Sequence, residues 1–235
     1  MTSIFKILTL NVLFAFLAVT TYAQKNNAHI QYVMNFETSG EETDPQMAAM
    51  MNGSLLDIYF SPENSKMMLN MMSGMIKMDM RMNTKNKKGI MIMDMMGQQK
   101  YKTIDSDDVN SEREDSKVDM PEIKYLKKYK EIAGYKCQKA LITVEEAAEP
   151  VVIYFTDKIE MPKGFEKYTE QLNMAGIKGF PMAIEIVSSD IKVNITAQAV
   201  DFVKQSKKLF DLKAPEGYTE MTEQDLQGLG GMGGF

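Results

Sequence analysis

The sequence predicts a mainly β (α+β) protein: one curved antiparallel sheet, open or nearly closed, with a few short helices. Three observations predict it. Apolar and polar residues alternate in run after run, turn-forming residues join those runs closely, and strands do not alternate with helices in the manner of a parallel sheet. Runs joined that closely pair with their chain neighbours as an antiparallel meander.

The chain opens MTSIFKILTLNVLFAFLAVTTYAQ, with Lys6 ahead of an apolar run from Ile7 to Val19 and small residues at Thr21-Tyr22-Ala23. This is the pattern of a secretory signal peptide over residues 1–23, with the mature chain beginning near Gln24. The run is short for a bilayer core of ~30 Å, and no later apolar run matches it. The expectation is an exported, soluble protein of the periplasm or extracellular space, with no transmembrane segment. Because no cysteine stands at the cleavage point, an acyl-anchored lipoprotein is not expected.

In HIQYVMNFE, Ile30, Tyr32, Met34 and Phe36 alternate with His29, Gln31, Val33 and Asn35, as in a strand with one buried face. TDPQMAAMMNG then reads as a short helix: Asp44 caps, Pro45 takes the first helical position, Met47, Met50 and Met51 share a face, and Gly53 closes the end. SLLDIYF, MIKMDMRM, GIMIMDMM and QKYKTID follow as four strands, separated by SPENS, NTKNKKG and MGQ. Residues 67–72 fit helical spacing as well as an extended run, and Gly74 favours strand.

Residues 105–119, DSDDVNSEREDSKVD, carry seven acids and two valines, too little apolar surface to offset ordering, so a flexible acidic loop is expected. Strands resume with GYKCQKALITV, PVVIYFTDKIEM, MAIEIVSS and DIKVNITAQAVDF, with FEKYTEQLN as a helix-compatible piece. The expected total is eight to ten strands in one domain over residues 24–222, followed by a flexible glycine-rich tail over 223–235.

Without Lys6 the mature chain has 26 basic and 32 acidic residues, a net charge of −6. With that charge, and with no Lys/Arg-rich patch interleaved with aromatics, nucleic acid is not an expected partner. Cys137 is the single cysteine, so no internal disulfide can form, and its place in GYKCQKA marks it as a buried, inert thiol. His29 is the single histidine and falls on the polar side of its strand, where solvation is expected.

Of 23 methionines, 15 lie between residues 47 and 96. In the strand reading Ile76, Met78, Met80 and Met82 point one way and Met75, Lys77, Asp79 and Arg81 the other, one face apolar and one wet. Met91, Met93 and Met95 extend the apolar face, opposite Ile90, Ile92 and Asp94. Flexible thioethers suit a pocket for a hydrophobic ligand of variable outline, lined by Met78, Met80, Met82, Met91, Met93 and Met95. Burying a dozen methylenes there is worth on the order of 10 kcal/mol before binding costs. Two alternatives use the same residues. Thioethers ligate Cu(I), and Met78, Met80 and Met82, ~6.6 Å apart at each step, could converge on one ion; or the methionines are only core of a structural envelope protein.

Signals for catalysis and cofactors fail. One histidine removes the commonest general base and any multi-histidine metal centre. GLGGMG at 228–233 spells a dinucleotide-binding motif without its strand and helix. Asp105 and Asp107 begin like a calcium loop, but Val109 takes the next ligand position and the turn glycine is missing. Asn52 and Asn194 open glycosylation sequons. The expectation is a non-enzymatic binding protein without a cofactor, whose partner is a hydrophobic ligand or a lipidated protein.

Through Ile132-Ala-Gly-Tyr-Lys-Cys-Gln-Lys139, Val152-Ile-Tyr-Phe-Thr156 with Ile159, Gly179-Phe-Pro-Met182 and Pro215-Glu-Gly-Tyr218, the second half resembles a secreted Bacteroidetes family, the domain of unknown function numbered 4412. With the strands ending in KYKTID, the resemblance covers most of the mature chain. Such proteins are similar to the LolA and LppX group of periplasmic lipoprotein carriers. That resemblance implies a LolA-like open half-barrel, a curved antiparallel sheet wrapped around helices and enclosing an acyl-binding cavity. It carries over no functional residues.

Overall fold

The computed structural model describes residues 27–38, 45–105, 122–143, 149–160, 176–187, 191–222 and 224–225. The expectations for the signal peptide, for Asp44 as a cap, for the acidic loop beyond Asp105, for FEKYTEQLN and for the tail from residue 226 lie outside the described residues.

Two runs of antiparallel neighbours meet in the middle of one open sheet. The first is β1 (Ala28–Thr38), β2 (Ser54–Phe60), β3 (Asn64–Met71), β4 (Ile76–Asn83), β5 (Lys88–Met95) and β6 (Gln98–Asp105). The second is β7 (Glu122–Ile132), β8 (Tyr135–Thr143), β9 (Val151–Thr156), β10 (Phe180–Val187) and β11 (Ile191–Asp201). β1 pairs with β11 and joins them, and β12 (Thr219–Glu220) adds at the edge of β6. The described residues thus form a curved sheet of twelve strands, ordered β12-β6-β5-β4-β3-β2-β1-β11-β10-β9-β8-β7. All pairings are antiparallel except β12 against β6, a parallel contact that the chain's repeated hairpins did not foretell.

Twelve strands exceed the eight to ten expected: sequence reading missed the two-residue β12 and, of more consequence, β7. Four lysines in its eleven residues mask the alternation, and a register shift between Tyr125 and Tyr129 breaks the period. Its place at the sheet edge explains the composition, since charge there blocks pairing with stray strands.

Helix α1 (Pro45–Met51) forms where expected, but its buried face is different. Ala48 and Met51 pack on Phe36, while Met47 and Met50 are exposed. Gly53, at φ +75°, closes the end and donates its N–H to the Met34 carbonyl at 3.1 Å. The two sequon asparagines are both engaged: Asn52 Oδ1 accepts the Phe36 N–H at 2.5 Å, and Asn194 Nδ2 donates to Glu37 at 3.3 Å. The run at 67–72 is strand to Met71. It then bends through a 3-10 turn, Met72–Gly74, with positive φ at Met72, Ser73 and Gly74.

The main core lies on the face of β1 that carries Ile30 and Tyr32. Ile58 and Phe60 join them from β2, Ala197 from β11 and Phe180 and Met182 from β10. Tyr32 donates its buried hydroxyl to the Pro181 carbonyl at 2.7 Å, fixing β1 to β10 across the interior. The other face of β3–β5 is not wet. Ile90 and Ile92 are buried there, and Lys66 is only 6% exposed. After β11 the chain returns over this face. Arg81 Nη1 donates to the Asp211 carbonyl at 2.7 Å, and the chain then runs along the β6 edge as β12. A sequence pattern of period two sees the strand but not the distant segment that covers it.

Candidate functional site

The β4–β5 register sets Met78 opposite Met93, Met80 opposite Met91, Ile76 opposite Met95 and Met82 opposite Gly89. On the other side of β4, Met67 faces Met80, Leu69 faces Met78 and Met71 faces Ile76. The six methionines therefore share one face, as the alternation required. The same pairings run on through Leu56 and Ile58 to Tyr32 and Ile30, so this face continues the core face of β1. Met93 is buried, and Met78, Met80, Met82, Met91 and Met95 are half-buried.

Gly89 is what lets Met82 lie across β5. A Cβ at residue 89 would stand 2.1 Å from Met82 Sδ and 2.6 Å from the Arg81 carbonyl oxygen. The side chain of Met82 occupies the space that any larger residue would need. Beside it Ser65, the β3 partner of Met82, has a buried hydroxyl with no hydrogen-bond partner among the described residues.

The methionine rows end in cations. Met93 pairs with Lys100 and Met91 with Lys102 on β6. Lys100 is neutralised by Asp225, which also accepts the backbone N–H and hydroxyl of Thr222 at 2.8 Å each. The Lys100 hydrogen bond, aided by those from Thr222, pushes the Asp225 carboxyl down to about 2. Lys102 makes no ion pair among the described residues.

For copper, the register changes which sulfurs are neighbours. Alternate positions on one strand are ~6.6 Å apart, whereas adjacent strands are ~4.8 Å apart. Met67, Met80 and Met91, aligned across three strands, are therefore a tighter thioether set than Met78, Met80 and Met82. Met67 escaped sequence reading because cross-strand alignment depends on hairpin length. Among the described residues, no three His, Cys, Asp or Glu side chains gather as a metal site.

The remaining singled-out side chains are placed as follows. His29 is not simply solvated: its Nε2 lies 2.6 Å from Asp57 Oδ1, and its ring stacks on Tyr59 at 4.1 Å. Burial, then the Asp57 charge, raises the Tyr59 hydroxyl pKa. Cys137 is buried within the main core, as read from sequence, and burial pushes its thiol up to about 11. Burial, with a smaller contribution from Cys137, holds the Tyr32 hydroxyl far above its ordinary range. Asp105 ends β6, and Asp107 and Val109 lie outside the described residues.

Sequence reading also missed a feature of the opposite edge. Lysines and tyrosines do interleave, in YLKKYKEIAGYKCQK, and the structure gathers them. Lys130 and Lys139 stand 5.6 and 5.8 Å from the Tyr154 ring centre, and Lys136 stands 4.5 Å from that of Tyr129.

No helix among the described residues is long and apolar enough to cross a membrane. No family model matches the chain, so the resemblance to the domain of unknown function 4412 gains no such support, and no curated protein matches it. Solved structures do. PNGF-II in a C2 crystal form is 13% identical at a TM-score of 0.46, over 86% of this chain and 32% of that one. The P21 form gives 13%, 0.46, 87% and 33%. This chain thus spans about a third of PNGF-II's length. The Mycobacterium tuberculosis lipoprotein LppX is 10% identical at a TM-score of 0.35, over 80% of this chain and 94% of LppX. Likenesses at these identities assign neither ligand nor activity to this chain.

Proposed function

We infer that this is an exported, non-catalytic binding protein that holds a hydrophobic ligand, a lipid or the acyl group of a lipidated partner, against the methionine face of β3–β5. The observation that carries the reading is the register. It lays Met78, Met80, Met91 and Met93 side by side as one continuous apolar surface, and leaves most of it half-buried instead of closed into core. Thioether chains can repack around cargo of variable shape, which a branched aliphatic face does less readily. Lys102 beside Met91 adds a preference within this class, an amphiphile with an anionic head.

The test is displacement of cis-parinaric acid, a fluorescent fatty acid, from the mature protein. Met78→Asp, Met80→Asp and Met93→Asp are each expected to abolish binding. The leucine variants are expected to keep it, because volume and apolarity survive. Lys102→Gln is expected to weaken the fatty acid but not its methyl ester. Unchanged binding in the aspartate variants would overturn the reading.

The aligned Met67, Met80 and Met91 support a second reading, Cu(I) binding. Here leucine is the damaging substitution, since it removes sulfur and keeps shape. Competition with bicinchoninate for Cu(I) separates the two: loss on Met80→Leu would favour copper, and no Cu(I) uptake by the parent would exclude it.

A further inference from the structure

We propose that the lysine- and tyrosine-bearing edge formed by β7 and β8 docks the protein on an anionic membrane surface. Residues 122–143 hold six lysines (124, 127, 128, 130, 136 and 139) and two glutamates, a local charge of +4 in a chain whose formal net charge is −5. None of the six lysines is ion-paired to a carboxylate among the described residues, although Lys66, Lys85, Lys100, Lys158 and Lys192 are. Among the described residues, then, no ion pair offsets the lysines of this edge, and the two glutamates of the segment leave four of the six charges unbalanced.

The registers show how the edge is laid out. Lys130 pairs with Cys137 and Lys139 with Tyr154, so Lys130, Lys139 and Tyr154 share one face. Glu131 pairs with Lys136 and Tyr129 with Gln138, which puts Tyr129 and Lys136 on the other. Cations thus flank a tyrosine on both sides of an outermost strand, and Tyr129 is 54% exposed. Tyrosine rings with free hydroxyls suit the head-group level of a bilayer, and lysines are drawn to its phosphates over about a Debye length.

Two other uses of such an edge fit less well. Nucleic-acid readers favour the forked guanidinium, but the chain's two arginines, Arg81 and Arg113, lie outside this segment. A second copy docked edge to edge would set lysines against lysines. Protection of the edge from aggregation accounts for charge there but calls for no particular sign, so it does not account for six lysines against two glutamates. The proposal is independent of what the methionine face binds.

The experiment is co-sedimentation of the mature protein with vesicles of phosphatidylglycerol and phosphatidylcholine in equal parts, and with phosphatidylcholine alone. Binding is expected only to the first, and is expected to fall as salt rises. At about 5-fold per surface lysine, Lys130→Gln with Lys139→Gln should lower partitioning roughly 30-fold. Lys130→Arg with Lys139→Arg should restore it, and circular dichroism should show the same sheet in all variants. Equal binding to both vesicles, no binding, salt-independent binding or an inert glutamine pair would each overturn the proposal. So would tighter binding to a single-stranded oligonucleotide, which would assign the edge to nucleic acid. If the double variant fails to fold, the salt titration of the parent decides.

Discussion

Replacing Asp79 by Asn should cost this protein more stability than almost any other conservative change in β4. Asp79 Oδ2 accepts from Lys66 Nζ at 3.0 Å and from Arg81 Nη2 at 2.6 Å, and its side chain is 19% exposed. Arg81 keeps a second acceptor, the Asp211 carbonyl, but Lys66 has no other ion-pair partner among the described residues and is almost fully buried. Removing one member of a buried ion pair costs about 3–5 kcal/mol, because the partner charge is stranded. Partial exposure and the surviving amide oxygen place this case near the lower end, about 3 kcal/mol. For a chain of this size, where each kcal/mol moves Tm by about 2–4 °C, that is a drop of about 6–12 °C. Differential scanning calorimetry reads it directly. Adding Lys66→Met to Asp79→Asn should recover part of the loss, since no buried ammonium is then left unpaired. A Tm drop below about 2 °C would refute the reasoning, as less than 1 kcal/mol is the range of exposed pairs. A double variant no better than the single would show that the cost does not come from Lys66.

Three further outcomes are expected. Gly89→Ala should destabilise by about 1–3 kcal/mol, through the clash with Met82 and the Arg81 carbonyl, and Met82→Ala should relieve part of it in the double variant, both read from urea midpoints. Ser65→Ala should leave Tm unchanged or raise it, because a buried hydroxyl without a partner gains nothing from folding. Cys137, raised to about 11, should resist iodoacetamide in the native protein at pH 8 and react once urea unfolds it. Because the folded thiol holds its proton more tightly than the unfolded one, its contribution to stability is complete below the unfolded pKa, near 9, and is lost as pH rises through about 11. A thermal-melt series across that window reads the loss.

Most of the β1–β6 series was legible in the sequence because apolar residues recur at alternate positions in its strands and the turns between them carry their own punctuation. SLLDIYF is β2 residue for residue, and the six methionines fall on the face that period two assigned them. Helix α1 was legible from Pro45 and Gly53, but not its buried side: that depends on Phe36, a neighbour brought by the fold. His29 was misjudged for the same reason, since Asp57 and Tyr59 come from β2.

Local pattern by itself determined strand, face and the character of the methionine block, because alternation and turn chemistry act between residues close in the chain. Tertiary structure alone decided what long-range pairing controls. It joined β1 to β11 and aligned Met67 with Met80 and Met91. It brought the Asp211 carbonyl to Arg81 on the back of β4, and it placed the lysines of β7 at the sheet edge. Those contacts join residues from about a dozen to more than a hundred positions apart, and a periodicity read within one strand contains no information about which other segment will lie against it.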